Sequence, residues 1–148
     1  MVAVRGSEDS LAAAGHRLFL DANILFSAAY RVGPGIARLW SLSPPVTLYT
    51  SEYAVAEARR NLSEAAALER LSGLLRIVEL VPDVVTAELP AGFTLPAKDR
   101  PILQAAVAAG ATHLLTGDRA HFGRYFGQSC SGVLIERPGD YLRRVERG

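Results

Sequence analysis

The sequence predicts an α/β domain with a mainly parallel central sheet, and three observations carry the prediction. Short apolar runs alternate with longer segments of helical periodicity. Asp21 and Asp118 each follow such a run and precede a helical segment, the placement expected at the carboxyl edge of an open α/β sheet. The chain has 148 residues and no internal repeats, which suits one domain burying roughly 68 to 70% of its unfolded surface.

The elements follow in order. Arg17 to Leu20 reads as a first strand ending at Asp21, and Ala22 to Ala29 as a helix. Gly33, Pro34 and Gly35 break the chain, a second helix runs through Leu42, and Pro44 and Pro45 close it. Val46 to Tyr49 is a second strand. Thr50 or Ser51 can cap a helix to about Leu62, and Glu64 to Leu75 continues as its antiparallel partner, with Leu68, Leu71 and Leu75 at helical spacing. Ile77 to Val81 is a third strand, and residues 82–96 a short helix plus a loop rich in Pro and Gly. Asp99 opens the clearest helix, with Pro101 tolerated in its first turn and Gly110 just past its end. His113 to Leu115 is a strand leading into Thr116, Gly117 and Asp118. A short helix, a strand at Val133 to Ile135 and a helix from about Gly139 complete the chain.

Composition narrows the function classes. Hydrophobic content of 49%, charged content of 21% and a mean hydropathy of +0.16 fit a soluble globular protein. No stretch approaches the roughly 18 uncharged apolar residues of a membrane span. Residues 1–16 lack a secretory pattern and read as a flexible lead-in to a single domain over 17–148. The one cysteine, Cys130, excludes an internal disulfide and suits a reducing cytoplasm. A net charge of +1 gives no global field, so any nucleic-acid surface must be local. Lys98 is the only lysine; arginine supplies the rest of the positive charge, and its planar guanidinium can grip phosphate bidentately.

Four acids stand at the edges of apolar elements: Asp21, Glu57, Asp99 and Asp118. Taken singly, the three aspartates read as helix caps, because a carboxylate there accepts from unpaired N–H groups of the first turn. Glu57 sits inside a helix amid Ala54, Val55, Ala56 and Ala58, where capping does not apply; its ordinary reading is a solvated acid paired with Arg60 or Asn61. In a parallel sheet all four can converge on one crevice. Several carboxylates a few ångströms apart repel unless some are protonated or a cation joins them. With no Cys or His at ligand spacing, an all-oxygen set favours Mg²⁺ or Mn²⁺ over Zn²⁺. The expected chemistry is phosphodiester hydrolysis by a metal-activated water.

These segments carry a resemblance. LFLDANILFSA, SEYAVAEARRNL, KDRPILQAAVAAGATHLLTGD and the following HF resemble the PIN-domain nucleases, including the VapC-type toxins of toxin-antitoxin pairs, over about Arg17 to Pro138. The resemblance implies an α/β/α sandwich with a parallel sheet and Mg²⁺- or Mn²⁺-dependent cleavage of RNA. It implies metal-binding roles for Asp21, Glu57, Asp99 and Asp118, support from Asn23 and Thr116, homodimerisation, and a small antitoxin partner. Where many relatives carry a further acid after the TGD element, this chain has Arg119, Ala120 and His121. One tightly held metal, with a second arriving with substrate, is the corresponding expectation.

Other candidates read more plainly. His121, in a short helical turn beside Phe122, could protonate a leaving oxygen but reads as a structural or surface histidine, and His16 and His113 do not suggest ligands. Arg59, Arg60, Arg100, Arg119 and Arg124 could form a cationic rim or simply solvated faces. Trp40, Tyr49 and Tyr53 could stack on bases; core or dimer packing is the plainer role for Trp40. Two other functions stay open. One is a phosphohydrolase with Asp21 as nucleophile, against which Asn23 stands where a second aspartate is needed. The other is a non-catalytic module that binds RNA or protein through the same crevice.

Overall fold

The computed structural model describes residues 13–31, 33, 35–84 and 88–147. Its centre is a sheet of β1 (Arg17–Leu20), β2 (Thr47–Ser51), β3 (Val78–Val81), β4 (His113–Leu115), β5 (Ser129–Cys130) and β6 (Val133–Glu136), in the spatial order β3-β2-β1-β4-β6-β5. Every pairing is parallel except that of β5 with β6. The helices are α1 (Ala22–Tyr30), α2 (Glu52–Asn61), α3 (Ala65–Leu74), α4 (Arg100–Ala108), α5 (Arg119–Phe122) and α6 (Pro138–Arg147). The architecture is the three-layer α/β/α sandwich that the sequence predicts.

The strand order contains the feature that places the site. From β1 the chain winds outward to β2 and β3, then returns so that β4 pairs with the other side of β1. β1 and β4 therefore flank the point where the winding reverses, and the crevice outside their carboxyl ends is where open α/β sheets bind ligands. Asp21 follows β1 and Asp118 comes three residues after β4.

Burial explains why these segments form these elements. Leu18, Phe19 and Leu20 are all buried, as expected of a central strand covered on both faces. Helix α4 buries Ile102, Leu103, Ala105 and Ala106 against the sheet, with Pro101 in its first turn. Gly110, just beyond it, has φ +72°, a left-handed conformation that glycine adopts without a Cβ clash.

Some elements differ from the sequence prediction. Gly35–Leu42 is a 3₁₀ helix rather than an α-helix. Its three-residue repeat puts Leu39 and Leu42 on one side, where both are buried, while the Trp40 indole donates to the Leu74 carbonyl at 3.0 Å. In residues 82–96 the described part, 82–84 and 88–96, has a turn and no helix; 85–87 lie outside the described residues. Strand β5 was not expected. It is tied to β6 by a two-residue turn in which Ser131 and Gly132 both have positive φ, 50° and 87°. Most of the expected lead-in, residues 1–12, lies outside the described residues. Of the remainder, Ala13 is buried and His16 Nδ1 lies 2.7 Å from the Tyr141 hydroxyl, so residues 13–16 join the fold. No helix among the described residues is long and apolar enough to cross a membrane.

Candidate metal centre

Asp21 ends β1 and caps α1, its Oδ1 accepting from the Ala22 N–H at 2.6 Å. The other oxygen, Oδ2, accepts from the Thr116 hydroxyl at 2.8 Å and from the Asn23 amide at 3.2 Å. Thr116 Oγ1 in turn accepts from the Asp118 N–H at 3.1 Å, and Asn23 Oδ1 from the Gly117 N–H at 2.7 Å. Thr116 and Asn23 thus couple the loop after β4 to the carboxylate after β1. The supporting roles expected of these two residues correspond to these bonds.

Asp118 caps the four-residue helix α5, accepting from the His121 N–H at 3.1 Å. Its Oδ2 lies 2.9 Å from His121 Nδ1. Asp99 behaves otherwise. It precedes α4 yet makes no capping bond, because its backbone is in the right-handed helical region (φ −100°, ψ −15°) instead of the extended conformation from which a cap reaches back. The turn that sets this conformation has Asp99 N–H and Arg100 N–H both donating to the Pro96 carbonyl. The Asp99 side chain is freed for another task. Its Oδ2 is buried without a hydrogen bond and stands 3.2 Å from His121 Nδ1, which lies closer, at 2.9 Å, to Asp118 Oδ2.

Glu57 projects from α2, which is capped by the Ser51 hydroxyl and packs through Ala54, Val55 and Ala58. Among the described residues it forms no ion pair with Arg60, and Asn61 donates to its backbone carbonyl instead of its carboxylate. Its charge acts on Asp21, Asp99 and Tyr53. One turn earlier Tyr53 donates to the Lys98 carbonyl at 2.6 Å, which fastens α2 to the loop carrying Asp99.

The electrostatics are those of a site short of positive charge. Burial raises the Asp21 carboxyl from 3.8 to about 6; the Thr116 and Ala22 bonds oppose the shift, and Glu57 and Asp99 add to it. Burial also raises Asp99, with His121 opposing and the Asp118 charge reinforcing. A divalent cation would supply what is missing: it would neutralise the acids and occupy the unpartnered Asp99 oxygen. The residues present therefore fit a metal, and one oxygen from each of Asp99 and Asp118 with a nitrogen of His121 lie within 4.8 Å of one another.

His121 is the residue that sequence reasoning undervalued. The absence of a histidine at ligand spacing was the ground for expecting an all-oxygen set, and the structure removes that ground. The signal was the spacing itself, since a residue three positions after a helix cap folds back over the cap. Of the proposed rim, Arg59, Arg60, Arg100, Arg119 and Arg124 are all exposed. A cavity of about 470 Å³ lined by Ser27, Ala28, Arg31 and Ile36 lies apart, with no acid in its wall.

A parallel α/β/α sandwich whose switch point gathers carboxylates is an architecture that can hold a divalent ion. The chain belongs to the PIN-domain family: the model for the PIN domain matches residues 17–120. Among solved structures the chain is similar to VapBC2 from Rickettsia felis, described as bound to a DNA fragment from their promoter, with a TM-score of 0.62 and 18% identity over 82% of this chain and 98% of that one. Comparison with curated proteins finds no match.

Proposed function

We propose that this protein is a metal-dependent endoribonuclease, a single PIN domain over 17–148 acting in the cytoplasm as the toxin-like component of a toxin-antitoxin pair. The observation that carries the reading is the Asp99 oxygen buried without a hydrogen bond, next to Asp118 and within the field of Asp21 and Glu57. Asp21, Glu57, Asp99 and Asp118 would hold Mg²⁺ or Mn²⁺. A bound divalent ion supplies an activated water and charge neutralisation at the phosphodiester.

The chain's own residues do the rest. Thr116 and Asn23 hold Asp21 in one rotamer, so a ligand oxygen is positioned before substrate arrives. Tyr53 keeps α2, and with it Glu57, against the Asp99 loop. Arg59, Arg60, Arg100 and Arg119 would offset the repulsion between acids and incoming phosphates. The likeness to VapBC2 supports a small antitoxin protein as partner, and a homodimer is the oligomeric state we propose.

The test is cleavage of a structured RNA by purified protein with Mn²⁺. Cleavage should disappear with EDTA and fall by about a thousandfold or more in Asp21→Asn and Asp118→Asn, both still folded by circular dichroism. Folded wild-type protein that neither cleaves RNA with Mn²⁺ nor binds the ion sinks this reading. Metal-independent tight RNA binding without cleavage would favour a non-catalytic module.

A further inference from the structure

The metal-centre reading leaves open which ion the site prefers and which atoms set the preference. The three donors with the tightest spacing are not all oxygen. Asp99 Oδ2 and Asp118 Oδ2 stand 3.2 Å and 2.9 Å from the same atom, His121 Nδ1. Donors about 2.1 Å from an octahedral ion and at right angles lie about 3 Å apart, so these are the separations of neighbouring corners of one coordination sphere.

Two further features argue that this spacing is directed at an ion. A protonated histidine could pair with both carboxylates, yet only Asp118 has hydrogen-bond geometry to it: Asp99 is 9% exposed, and its Oδ2, 3.2 Å from Nδ1, is buried with no hydrogen bond. Nδ1 lies 2.9 Å from Asp118 Oδ2, and as a metal ligand it would be the unprotonated ring nitrogen, with the ring hydrogen on Nε2. The arrangement is also anchored from behind, because Phe122, the neighbour of His121, is fully buried and fixes the short helix that carries the imidazole.

Resting on the proposed metal centre, we infer that His121 Nδ1 is itself a metal ligand, forming with Asp99 and Asp118 a mixed nitrogen and oxygen site that selects Mn²⁺ over Mg²⁺. Mg²⁺ is a hard ion served by oxygen, whereas an imidazole nitrogen strengthens binding of first-row transition ions. Replacing one oxygen donor by nitrogen therefore shifts selectivity without requiring any change in the other acids.

The experiment uses the intact protein and reads binding, not turnover. Mn²⁺ and Mg²⁺ affinities are measured by calorimetry, and the Mn²⁺-loaded protein is examined by pulsed electron paramagnetic resonance for coupling to a ¹⁴N nucleus. The chain has only three histidines, and the rings of the other two, His16 and His113, pack against Tyr141. Wild type should show the nitrogen coupling. His121→Asn should lose it, with Mn²⁺ binding weakened at least about tenfold. His121→Asp should lack the coupling yet restore Mg²⁺ binding, since it returns an oxygen to the same corner. Circular dichroism on both variants establishes that they fold.

Three outcomes overturn the inference: no nitrogen coupling in Mn²⁺-loaded wild type, a coupling that survives in His121→Asn, or a Mn²⁺ to Mg²⁺ affinity ratio that His121→Asn leaves unchanged. In each of these the protein still binds metal, so the metal-centre reading stands. Wild-type protein that binds neither ion removes both.

Discussion

Two regions of this molecule bring histidine and buried carboxylate together, and they solve opposite problems. Under α6, Glu136 accepts from both terminal nitrogens of Arg144 at 3.0 and 2.5 Å, His16 meets the Tyr141 hydroxyl at 2.7 Å, and His113 Nδ1 lies 2.7 Å from the Thr112 hydroxyl. Burial lowers His113 to about 4, so the ring is neutral beside its aromatic neighbours. At the switch point the carboxylates outnumber the cations, and one buried oxygen of Asp99 has no hydrogen bond, only the His121 ring nitrogen 3.2 Å away. The first region is a closed network in which a buried charge has its partner. The second is an open one that a cation from outside would complete. Burial of charge alone does not mark a functional site; burial without compensation does.

The largest test of that contrast is at Asp21. The folded carboxyl holds its proton to about pH 6, while the unfolded chain releases it near 3.8. The native state thus binds the extra proton, and without metal its stability falls as pH rises through that window, by up to about 3 kcal/mol at neutral pH. Asp21→Asn removes the penalty. Thermal melts in EDTA should therefore show the variant more stable than wild type at pH 7.5 and equal to it near pH 4. Added Mn²⁺ should stabilise wild type more than the variant. A variant that is less stable than wild type at pH 7.5 in EDTA would place Asp21 with Glu136, as a structural acid.

Arg144 tests the other half. Arg144→Met keeps much of the apolar stem and removes the guanidinium, stranding Glu136, which is 7% exposed. Losing one partner of a fully buried pair costs about 3 to 5 kcal/mol, and the half-exposed position of Arg144 reduces that to about 2 kcal/mol. Adding Glu136→Gln should recover part of the loss, because the uncompensated charge is then gone. Mn²⁺ affinity should not change in either variant. If it weakens along with stability, the two regions are coupled and the contrast between them fails.

How far the sequence revealed these regions depends on the range of the interactions involved. Asp21 and Asp118 were legible as strand-edge acids because a short apolar run followed by a helical one is a local pattern, and Glu57 stood out because no cap explains an acid inside a helix. The closed network was not legible: His16, Glu136 and Tyr141 meet only when α6 packs on the sheet, a contact spanning 125 residues between His16 and Tyr141. Asp99 was legible as an acid but not as an unpartnered one. Its sequence context is that of a cap, and only the backbone turn at Pro96 turns the carboxylate away from the helix N–H groups. Strand β5 was missed because two residues cannot show a period.

The smallest substitution sharpens the contrast most, since Thr116 is a fully buried hydroxyl serving the open site. It donates to Asp21 and accepts from the Asp118 N–H, so it joins two acids that have no direct bond to each other. Thr116→Val keeps the shape and removes these bonds together with the one the hydroxyl accepts from the Asn23 amide at 3.2 Å, at a cost of about 1 to 3 kcal/mol. Stability is the lesser consequence. The hydroxyl bond holds the Asp21 carboxyl down against burial, so the variant's carboxyl titrates higher and the fall in metal-free stability moves to higher pH. Thr116→Ser, which keeps the oxygen, should titrate like wild type. If Thr116→Val shifts only the melting temperature and leaves the pH midpoint and Mn²⁺ affinity in place, Thr116 is packing for β4 and not a support of the metal-binding acids.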